Sequence, residues 1–410
     1  MDDLQDRLDE LTELGVHRRM RMISGPQGPR VVLDGKPVLL LCSDNYLGLA
    51  DHPRVREAAA DAAMRWGVGA GSSRLVAGTM TLHRRLEERL AAFHRTDAAL
   101  LFGSGYMACA GIIPAVAGRG QVVFSDALNH ASIVDGCRLS GADVFVYQHA
   151  DADHLAWGMR QNAGRGALVV TDGVFSMDGD VAPLAEIAAA ARTHNVRVMV
   201  DEAHAVGALG PEGRGAVAEA GLEGEVDLVV GTLGKALGGY GAYVACDAVL
   251  ARVLASSARP FMFSCAPAPP VVAAGLAALD ELQASPRRIE KLVANAEVLR
   301  GELDREGFDV SGSGTQIIPL IVGDAHDALR MAEFALEQGV FAQAIRPPAV
   351  PEGTSRLRLT VMASHTRSEL REAAQVLGRA ALRAGVRPAT TVPVAEVHAG
   401  GTVVPFERAA

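Results

Sequence analysis

The stretch "DLVVGTLGKALGGYGAYVA", residues 227–245, places a lysine in a glycine-rich loop between two short apolar runs. The runs at 228–231 and 242–245 have the length and composition of buried β-strands. Lys235 stands between them among residues small enough to let another molecule approach it. Three interpretations are open: the lysine binds a phosphate, it bonds covalently to a carbonyl, or it is an ordinary surface residue.

The phosphate interpretation fails on the pattern of residues around the lysine. A P-loop requires GxxxxGK followed by serine or threonine, whose hydroxyl holds magnesium. Here Ala236 follows Lys235, and the first glycine of the pattern is missing. The glycine clusters at 67–71 and 238–241 do not match the GxGxxG pattern of dinucleotide-binding folds either. A covalent role therefore explains more of the segment.

Similar apolar runs occur upstream, separated by helical patterns. They lie at 99–102, 121–125, 144–147, 167–171 and 197–200. Strands that alternate with helices form βαβ units, so we expect an α/β fold with a mostly parallel sheet. Ligands of such sheets bind at the carboxyl ends of the strands. Lys235 follows one of those ends.

The bulk composition limits the class of protein. The 410 residues suffice for two or three domains, and 49% hydrophobic with 21% charged residues indicates a globular protein with a large core. The net charge of −9 disfavours nucleic acid as a partner. There is no signal-peptide pattern and no run long enough to span a membrane. Five cysteines without a CxxC pair indicate a reducing compartment, so we expect a cytoplasmic location.

The chain is expected to contain four segments. An N-terminal arm and hairpin occupy 1–50, with a short helix over 2–14 and a turn at Asp34-Gly35. A large domain follows at 51–275, and its helical pattern over 54–97 is interrupted by the glycine-rich segment 67–79. A long helix near 271–303 leads into a smaller α+β domain at 276–388, with strand patterns at 316–322 and 356–361 and two helices. The remaining 389–410 form an extended tail.

Three strand ends carry residues that suit one ligand. In "VRVMVDEAHAVG" (196–207), Asp201 and His204 follow an apolar run. A buried carboxylate there needs a cationic partner such as a protonated pyridine nitrogen, or it caps a following helix. In "LLFGSGYMA" (100–108), a glycine-rich turn opens a helix whose free N–H groups suit a phosphate. With Lys235 available to bond an aldehyde, these strand ends predict one cofactor site.

Five segments, in order along the chain, resemble the α-oxoamine synthases. These are pyridoxal 5′-phosphate (PLP) enzymes of the aspartate aminotransferase fold, PLP fold type I. The segments are "DALNHASIVDG" (126–136), "TDGVFSMDGD" (171–180), "VDEAHAVGALG" (200–210), "GTLGKALGG" (231–239) and "RPPAVPEGTSRLRLT" (346–360). The resemblance extends over about residues 17 to 385. It implies a mostly parallel seven-stranded sheet in a large domain and a smaller C-terminal α+β domain.

The resemblance also implies roles at the cofactor ring. Lys235 would bind the PLP aldehyde and later move the α-proton of the substrate. Asp201 would pair with the pyridine nitrogen, and His130 would stack on the ring. His204 and Ser176 would hydrogen-bond the phenolic oxygen of the ring.

Four further residues match the family's phosphate site. The backbone of Gly105 and Tyr106 and the hydroxyl of Thr232 would hold the phosphate. Ser264 would reach it from the neighbouring subunit, which implies a homodimer with shared active sites.

The substrate residues are also implied by the resemblance. Arg358 would bind the carboxylate of the amino acid, a task that suits a planar guanidinium. Arg18, in "HRRMR" (17–21), would contact the acyl substrate. Asp44 and Arg346 lie in matching segments and are further substrate candidates.

The implied reaction is a decarboxylative condensation of L-alanine with an acyl thioester. A pimeloyl chain on coenzyme A or on an acyl carrier protein is favoured, and the thiol and carbon dioxide would leave. Glycine with an acetyl thioester, or another acyl partner in secondary metabolism, is an alternative. A catalytically silent scaffold is the alternative outside enzymes. Ala349 stands where the family has a substrate-contacting threonine, which leaves the acyl chain open.

The segment "QHADADH" (148–154) gathers four residues of types that ligate metals. No helix or strand would direct all four side chains at one ion. We therefore expect a structural loop and no metal site.

Overall fold

The computed structural model of the protein describes residues 2–13 and 20–386. Its strands are β1 (Ile23–Ser24), β2 (Arg30–Leu33), β3 (Lys36–Leu40), β4 (Ala98–Phe102), β5 (Val122–Asp126), β6 (Asp143–Tyr147), β7 (Gly166–Asp172), β8 (Arg197–Asp201), β9 (Leu228–Thr232), β10 (Ala242–Cys246), β11 (Ile317–Gly323), β12 (Val340–Phe341), β13 (Gln343–Ile345) and β14 (Ser355–Thr360). Its α-helices are α1 (Asp2–Glu13), α2 (Pro53–Trp66), α3 (Thr81–His94), α4 (Gly105–Val116), α5 (Ala131–Ser140), α6 (Ala152–Gln161), α7 (Leu184–His194), α8 (Ala216–Glu219), α9 (Ala248–Ser257), α10 (Arg259–Phe263), α11 (Pro269–Ala284), α12 (Arg287–Arg305), α13 (Ala325–Glu337) and α14 (Arg367–Ala384). Within the described ranges, no helix is both long and apolar enough to cross a membrane.

The predicted seven-stranded sheet is confirmed, and each of its strands begins and ends within one residue of the predicted bounds. The strand order is β4-β10-β9-β8-β7-β5-β6. β10 runs antiparallel to both of its neighbours, and the other pairs are parallel. Strands β5, β7 and β8 are buried almost throughout, because helices cover both faces of a parallel sheet. Such burial explains their continuous apolar sequences.

The predicted long helix near 271–303 is wrong, because two helices occupy that region. α11 ends at Ala284, and α12 begins at Arg287. Pro286 separates them, and a proline lacks the N–H needed to continue a helix and disfavours helical backbone at the residue before it. Ser285 accordingly leaves the helical region, with φ −131° and ψ 64°.

The described residues form two units. The sheet unit comprises Leu49–Ser176 and Val181–Ile289, and it contains the seven-stranded sheet. The terminal unit comprises the residues up to Gly48, Met177–Asp180 and the residues from Glu290 onward. The boundary predicted at 276 therefore differs from this division. The physical reason is that α11 packs on α2 and α3, so it belongs with the sheet unit. The tail predicted at 389–410 lies outside the described residues.

The terminal unit is built on two smaller sheets, of order β1-β2-β3-β12 and β11-β14-β13. The predicted hairpin at its N-terminal end is present, with β2 antiparallel to β3. Asp34 and Gly35 have φ of 48° and 82°, as a two-residue hairpin turn with both central residues at positive φ requires. The hairpin therefore belongs with the C-terminal residues rather than forming a separate arm.

A buried histidine in the terminal unit makes stability depend on pH. His365 is fully buried, its Nδ1 accepts the N–H of Met362, and its Nε2 lies 3.1 Å from the carbonyl of Leu40. Burial lowers the pKa of His365 from 6.5 to about 4. The unfolded chain therefore takes up a proton first as the pH falls below 6.5, and the folded state loses stability down to pH 4.

We expect His365→Gln to remove this pH dependence. Between pH 7 and pH 5 the free energy of unfolding of the variant should fall by about 2 kcal/mol less than that of the wild type, since each pH unit below 6.5 is worth about 1.36 kcal/mol. Urea titrations at the two pH values measure the difference. His326→Gln is the matched control, because its imidazole is exposed on α13. Equal pH dependence in the wild type and both variants would show that His365 does not stay neutral in the fold.

Candidate active site at the carboxyl edge of the sheet

Lys235 lies in the loop between β9 and β10, and its amine meets a histidine from the neighbouring strand end. The distance from Lys235 Nζ to His204 Nε2 is 2.7 Å. β8 and β9 are parallel neighbours, so the residues that follow them reach the same edge of the sheet. A Cβ at Gly238 would lie 2.3 Å from the backbone nitrogen of Ala50, which explains one glycine of the lysine loop.

Asp201 ends β8 with a buried carboxylate that is 5% exposed. One oxygen, Oδ1, accepts the N–H of Ala203 at 3.0 Å. The other, Oδ2, accepts the thiol hydrogen of Cys109 on α4 at 3.4 Å. No helix begins at this point of the described chain, because residues 203–208 form turns. The alternative of a helix cap is therefore wrong, and the Oδ1 contact supports a local turn.

A second carboxylate lies beside Asp201 on the neighbouring strand. Asp172 ends β7, is buried, and pairs with Asp201 in the register of the two strands. Burial, followed by the charge of Asp201, raises the pKa of Asp172 well above its usual range. Asp172 is therefore harder to ionise than an exposed aspartate.

His130 is held just before α5 by both its backbone and its ring. Its N–H donates to Asp172 at 2.8 Å, and its Nδ1 accepts the N–H of Ser132 at 3.2 Å. Burial lowers the pKa of His130, the charge of Asp201 opposes this, and Lys235 adds to it. The imidazole is therefore neutral and carries its proton on Nε2.

The turn after β4 presents backbone donors. Gly105 and Tyr106 are the first residues of α4, whose initial N–H groups have no acceptor within the helix. Ser104 caps the helix by accepting the N–H of Met107. At the end of β9, the hydroxyl of Thr232 donates to the carbonyl of Gly241 and accepts the N–H of Gly234.

The other predicted site residues lie in three places. Ser176 follows β7, and Ser264 directly follows α10, both in the sheet unit. Arg358, Asp44 and Arg346 belong to the terminal unit. There, Arg358 Nη1 donates to Asp44 Oδ1 at 3.2 Å. Arg18 lies outside the described residues.

Three of the four residues of metal-ligating type in 148–154 have a structural contact. Asp151 caps α6 by accepting the N–H of His154, whose Nδ1 accepts the N–H of Gln148. His149 Nδ1 lies 2.9 Å from Asp126 Oδ1. Among the residues that the structure describes, no cluster of metal-ligating side chains occurs.

Known proteins are similar in sequence to this chain over most of its length. The family model for class I and II aminotransferases matches residues 36–377. The 8-amino-7-oxononanoate synthase of Geobacter sulfurreducens is 50% identical over 382 residues, which cover 92% of this chain and 98% of that protein. The synthase of the same name from Geobacter metallireducens is 53% identical over 376 residues, or 91% of this chain and 96% of that protein.

The chain belongs to the α-oxoamine synthase family of PLP enzymes.

Solved structures of α-oxoamine synthases have the same fold. A serine palmitoyltransferase from S. paucimobilis with bound PLP and myriocin has a TM-score of 0.89 at 34% identity, covering 94% of this chain and 98% of that one. The 8-amino-7-oxononanoate synthase from Francisella tularensis has a TM-score of 0.74 at 25% identity, covering 85% and 99%. The predicted aspartate aminotransferase fold is thereby confirmed.

The donor set of this α-oxoamine synthase fits PLP. Asp201 is a buried carboxylate whose oxygens accept hydrogen bonds from a thiol and a backbone N–H, and it suits a protonated pyridine nitrogen as a cationic partner. The N-terminus of α4 suits the phosphate, because its first N–H groups point away from the helix. The Lys235 amine and the His204 imidazole lie together at the same edge of the sheet. This suits PLP, because the aldehyde that Lys235 would bind and the phenolic oxygen that His204 would contact are on the same ring.

Sequence reasoning missed three residues of this site. Asp172 stands in the quoted segment "TDGVFSMDGD", and its place at a strand end was the signal that could have identified it. Ser132 stands two residues after His130 in another quoted segment. Cys109 carried no signal, because its contact with Asp201 depends on the packing of α4 against the sheet.

Proposed function

We propose that this α-oxoamine synthase joins L-alanine to a pimeloyl thioester and releases 8-amino-7-oxononanoate, an intermediate of biotin biosynthesis. A bond forms between the alanine α-carbon and the acyl carbonyl carbon, while the thiol and carbon dioxide leave. The observation that carries the proposal is about 50% identity to proteins of that name over nearly their whole length. Identity to the serine palmitoyltransferases is lower, at 32% to 34%.

Bound PLP supplies a ring that withdraws electrons from the α-carbon of the amino acid. The chain's own residues prepare and move the protons. Lys235 would hold the cofactor covalently, and its amine, when released by the substrate, would take the α-proton of alanine. His204, 2.7 Å from that amine, holds it at the strand edge and with Ser176 donates to the phenolic oxygen.

Asp201 and His130 are proposed to contact different parts of the ring and to differ in charge. Asp201 would pair with the ring nitrogen and favour its protonated form. On the neighbouring strand, burial and the charge of Asp201 raise the pKa of Asp172. His130 is neutral and stacks on the ring, with its Nε2–H available to the substrate. Gly105, Tyr106 and Thr232 bind the phosphate.

The substrate residues are proposed from the family match. Arg358 pairs with the carboxylate of alanine, with Asp44 orienting the guanidinium at 3.2 Å. Arg346 and Arg18 are proposed to contact the acyl chain, and Arg18 suits the distal carboxylate of a pimeloyl group. We place the enzyme in the cytoplasm because all five cysteines are free thiols, as a reducing compartment favours.

A thiol-release assay that crosses alanine, serine and glycine with several thioesters tests the proposal. The acyl donors are pimeloyl, acetyl and palmitoyl groups on coenzyme A, and pimeloyl on an acyl carrier protein. We expect the highest kcat/KM for alanine with one of the pimeloyl donors. A preference for serine with the palmitoyl donor would favour the activity named for the structural relatives with TM-scores of 0.89, and glycine with the acetyl donor would favour a third branch.

We further propose that the enzyme is a homodimer in which Ser264 of the partner subunit completes the phosphate site. The segment around Ser264 is bridged to the loop after α2, because Ser73 pairs with Cys265. Large apolar side chains are exposed on these two segments: Val76 at 80% and Phe263 at 69%. Exposed apolar patches of this kind mark protein interfaces.

We expect sedimentation of the wild type to give a dimer and Val76→Asp to shift it toward monomer with a parallel loss of turnover. Burying an unpaired carboxylate in an interface opposes association. Val146→Asp is the matched control, because Val146 is 52% exposed on β6, the strand at the other edge of the sheet from β4. A fully active monomer at assay concentration would contradict shared active sites.

A further inference from the structure

The residues around Asp201 and His130 form a buried connected group that the family match does not use. Cys109 lies on α4 and is fully buried. Its thiol donates to Asp201 Oδ2 at 3.4 Å and is also hydrogen-bonded to the side chain of Ser132. The Ser132 hydroxyl lies 2.7 Å from His130 Nδ1. One thiol and one hydroxyl therefore connect the carboxylate to the imidazole.

We propose that Cys109 is a positioning residue for Asp201: its thiol hydrogen bond orients the carboxylate and stabilises its negative charge toward the ring nitrogen of the cofactor. The inference rests on the proposed role of Asp201, and it adds a residue to which no role has been given.

Two features keep the Cys109 thiol in place as a hydrogen-bond donor to Asp201. Burial and then the charge of Asp201 raise the pKa of Cys109 well above its usual range, so the sulfur keeps its hydrogen. The backbone at Cys109 cannot shift easily, because α4 and α5 touch there. A Cβ at Gly136 on α5 would lie only 2.7 Å from the carbonyl oxygen of Cys109.

The Asp201 carboxylate accepts few other hydrogen bonds. Oδ1 accepts one N–H, from Ala203, at 3.0 Å. A buried carboxylate that loses a donor becomes harder to keep ionised. Removing the thiol should therefore weaken the attraction of the site for a protonated ring nitrogen and leave its other contacts intact.

The test measures the affinity of the full-length chain, freed of cofactor, for two ligands. One is PLP, and the other is the analogue in which a C–H group replaces the ring nitrogen. We expect Cys109→Ala to bind PLP about tenfold more weakly than the wild type, and tenfold corresponds to ~1.4 kcal/mol. The analogue should bind the variant and the wild type equally, because it has no nitrogen to pair with Asp201.

Two variants complete the comparison. Cys109→Ser keeps a donor and should restore the affinity for PLP. Cys246→Ala is the matched control, because Cys246 is a buried thiol of the same apolar cluster and should bind both ligands as the wild type does. If Cys109→Ala does not fold, Cys109→Ser decides, since tenfold weaker PLP binding by this hydroxyl variant contradicts the proposal.

Equal weakening of both ligands in Cys109→Ala would show a packing role and overturn the inference, as would unchanged PLP affinity. Asp201→Asn separates this failure from a failure of the site assignment. If Asp201→Asn also binds the two ligands with wild-type discrimination, Asp201 does not pair with the ring nitrogen. If Asp201→Asn alone no longer distinguishes PLP from the analogue, Asp201 pairs with the ring nitrogen and Cys109 does not contribute to that pairing.

Discussion

Replacing Lys235 with alanine is expected to lower turnover by about 10⁴-fold, the upper end of what a positioned acid–base group contributes. The variant loses both the covalent link to PLP and the amine that takes the α-proton. The 2.7 Å contact with His204 places this amine at the carboxyl edge of the sheet, where Asp201 ends β8. Initial-rate measurements with saturating PLP give the comparison.

The covalent link can be tested separately from turnover. The chain contains three lysines, Lys36, Lys235 and Lys291. Borohydride reduction of the wild type with PLP should fix the cofactor on the peptide that contains Lys235 and on neither of the others. Lys36→Ala is the control and should be labelled and active as the wild type is. Labelling of Lys235→Ala at a single other lysine with retained turnover would refute the assignment.

Replacing Asp201 with asparagine is expected to slow turnover by about 10³-fold, the order of effect seen when one charge-stabilising contact is removed from an active site. The two side chains have nearly the same shape, so the variant loses the negative charge and little packing. Without that charge the ring nitrogen no longer stays protonated, and α-proton removal slows. The exchange of the alanine α-proton with deuterated solvent measures this step directly.

Asp126→Asn is the matched control for Asp201. Asp126 is a buried carboxylate at the end of β5, on the same edge of the sheet. Its oxygens accept the N–H groups of Leu128 and Ala150 and contact His149, so its role is to hold the loops. We expect this variant to lose stability with little change in the exchange rate. Near-normal exchange of the alanine α-proton in Asp201→Asn would show that Asp201 supports the turn at Ala203 and has no part in α-proton removal.

Much of the candidate site could be predicted because it sits at strand ends. In a parallel sheet the carboxyl ends of neighbouring strands reach one edge, so apolar runs that end in Asp201, in the lysine loop and before Gly105 already bring these residues close. Which residue contacts which was not predictable. The pairing of Lys235 with His204 depends on two loops whose paths the strand pattern does not specify.

The sequence by itself determined the seven strands of the sheet, the hairpin turn at Asp34-Gly35 and the position of the lysine loop, because these depend on short-range patterns. Apolar runs and turn residues act over a few positions, so one segment suffices to predict them. Only the tertiary structure decided that α11 belongs with the sheet unit and that Cys109 contacts Asp201, 92 residues away. Such contacts depend on how helices pack against the sheet. That packing is set by the shapes of many side chains that are distant in the chain.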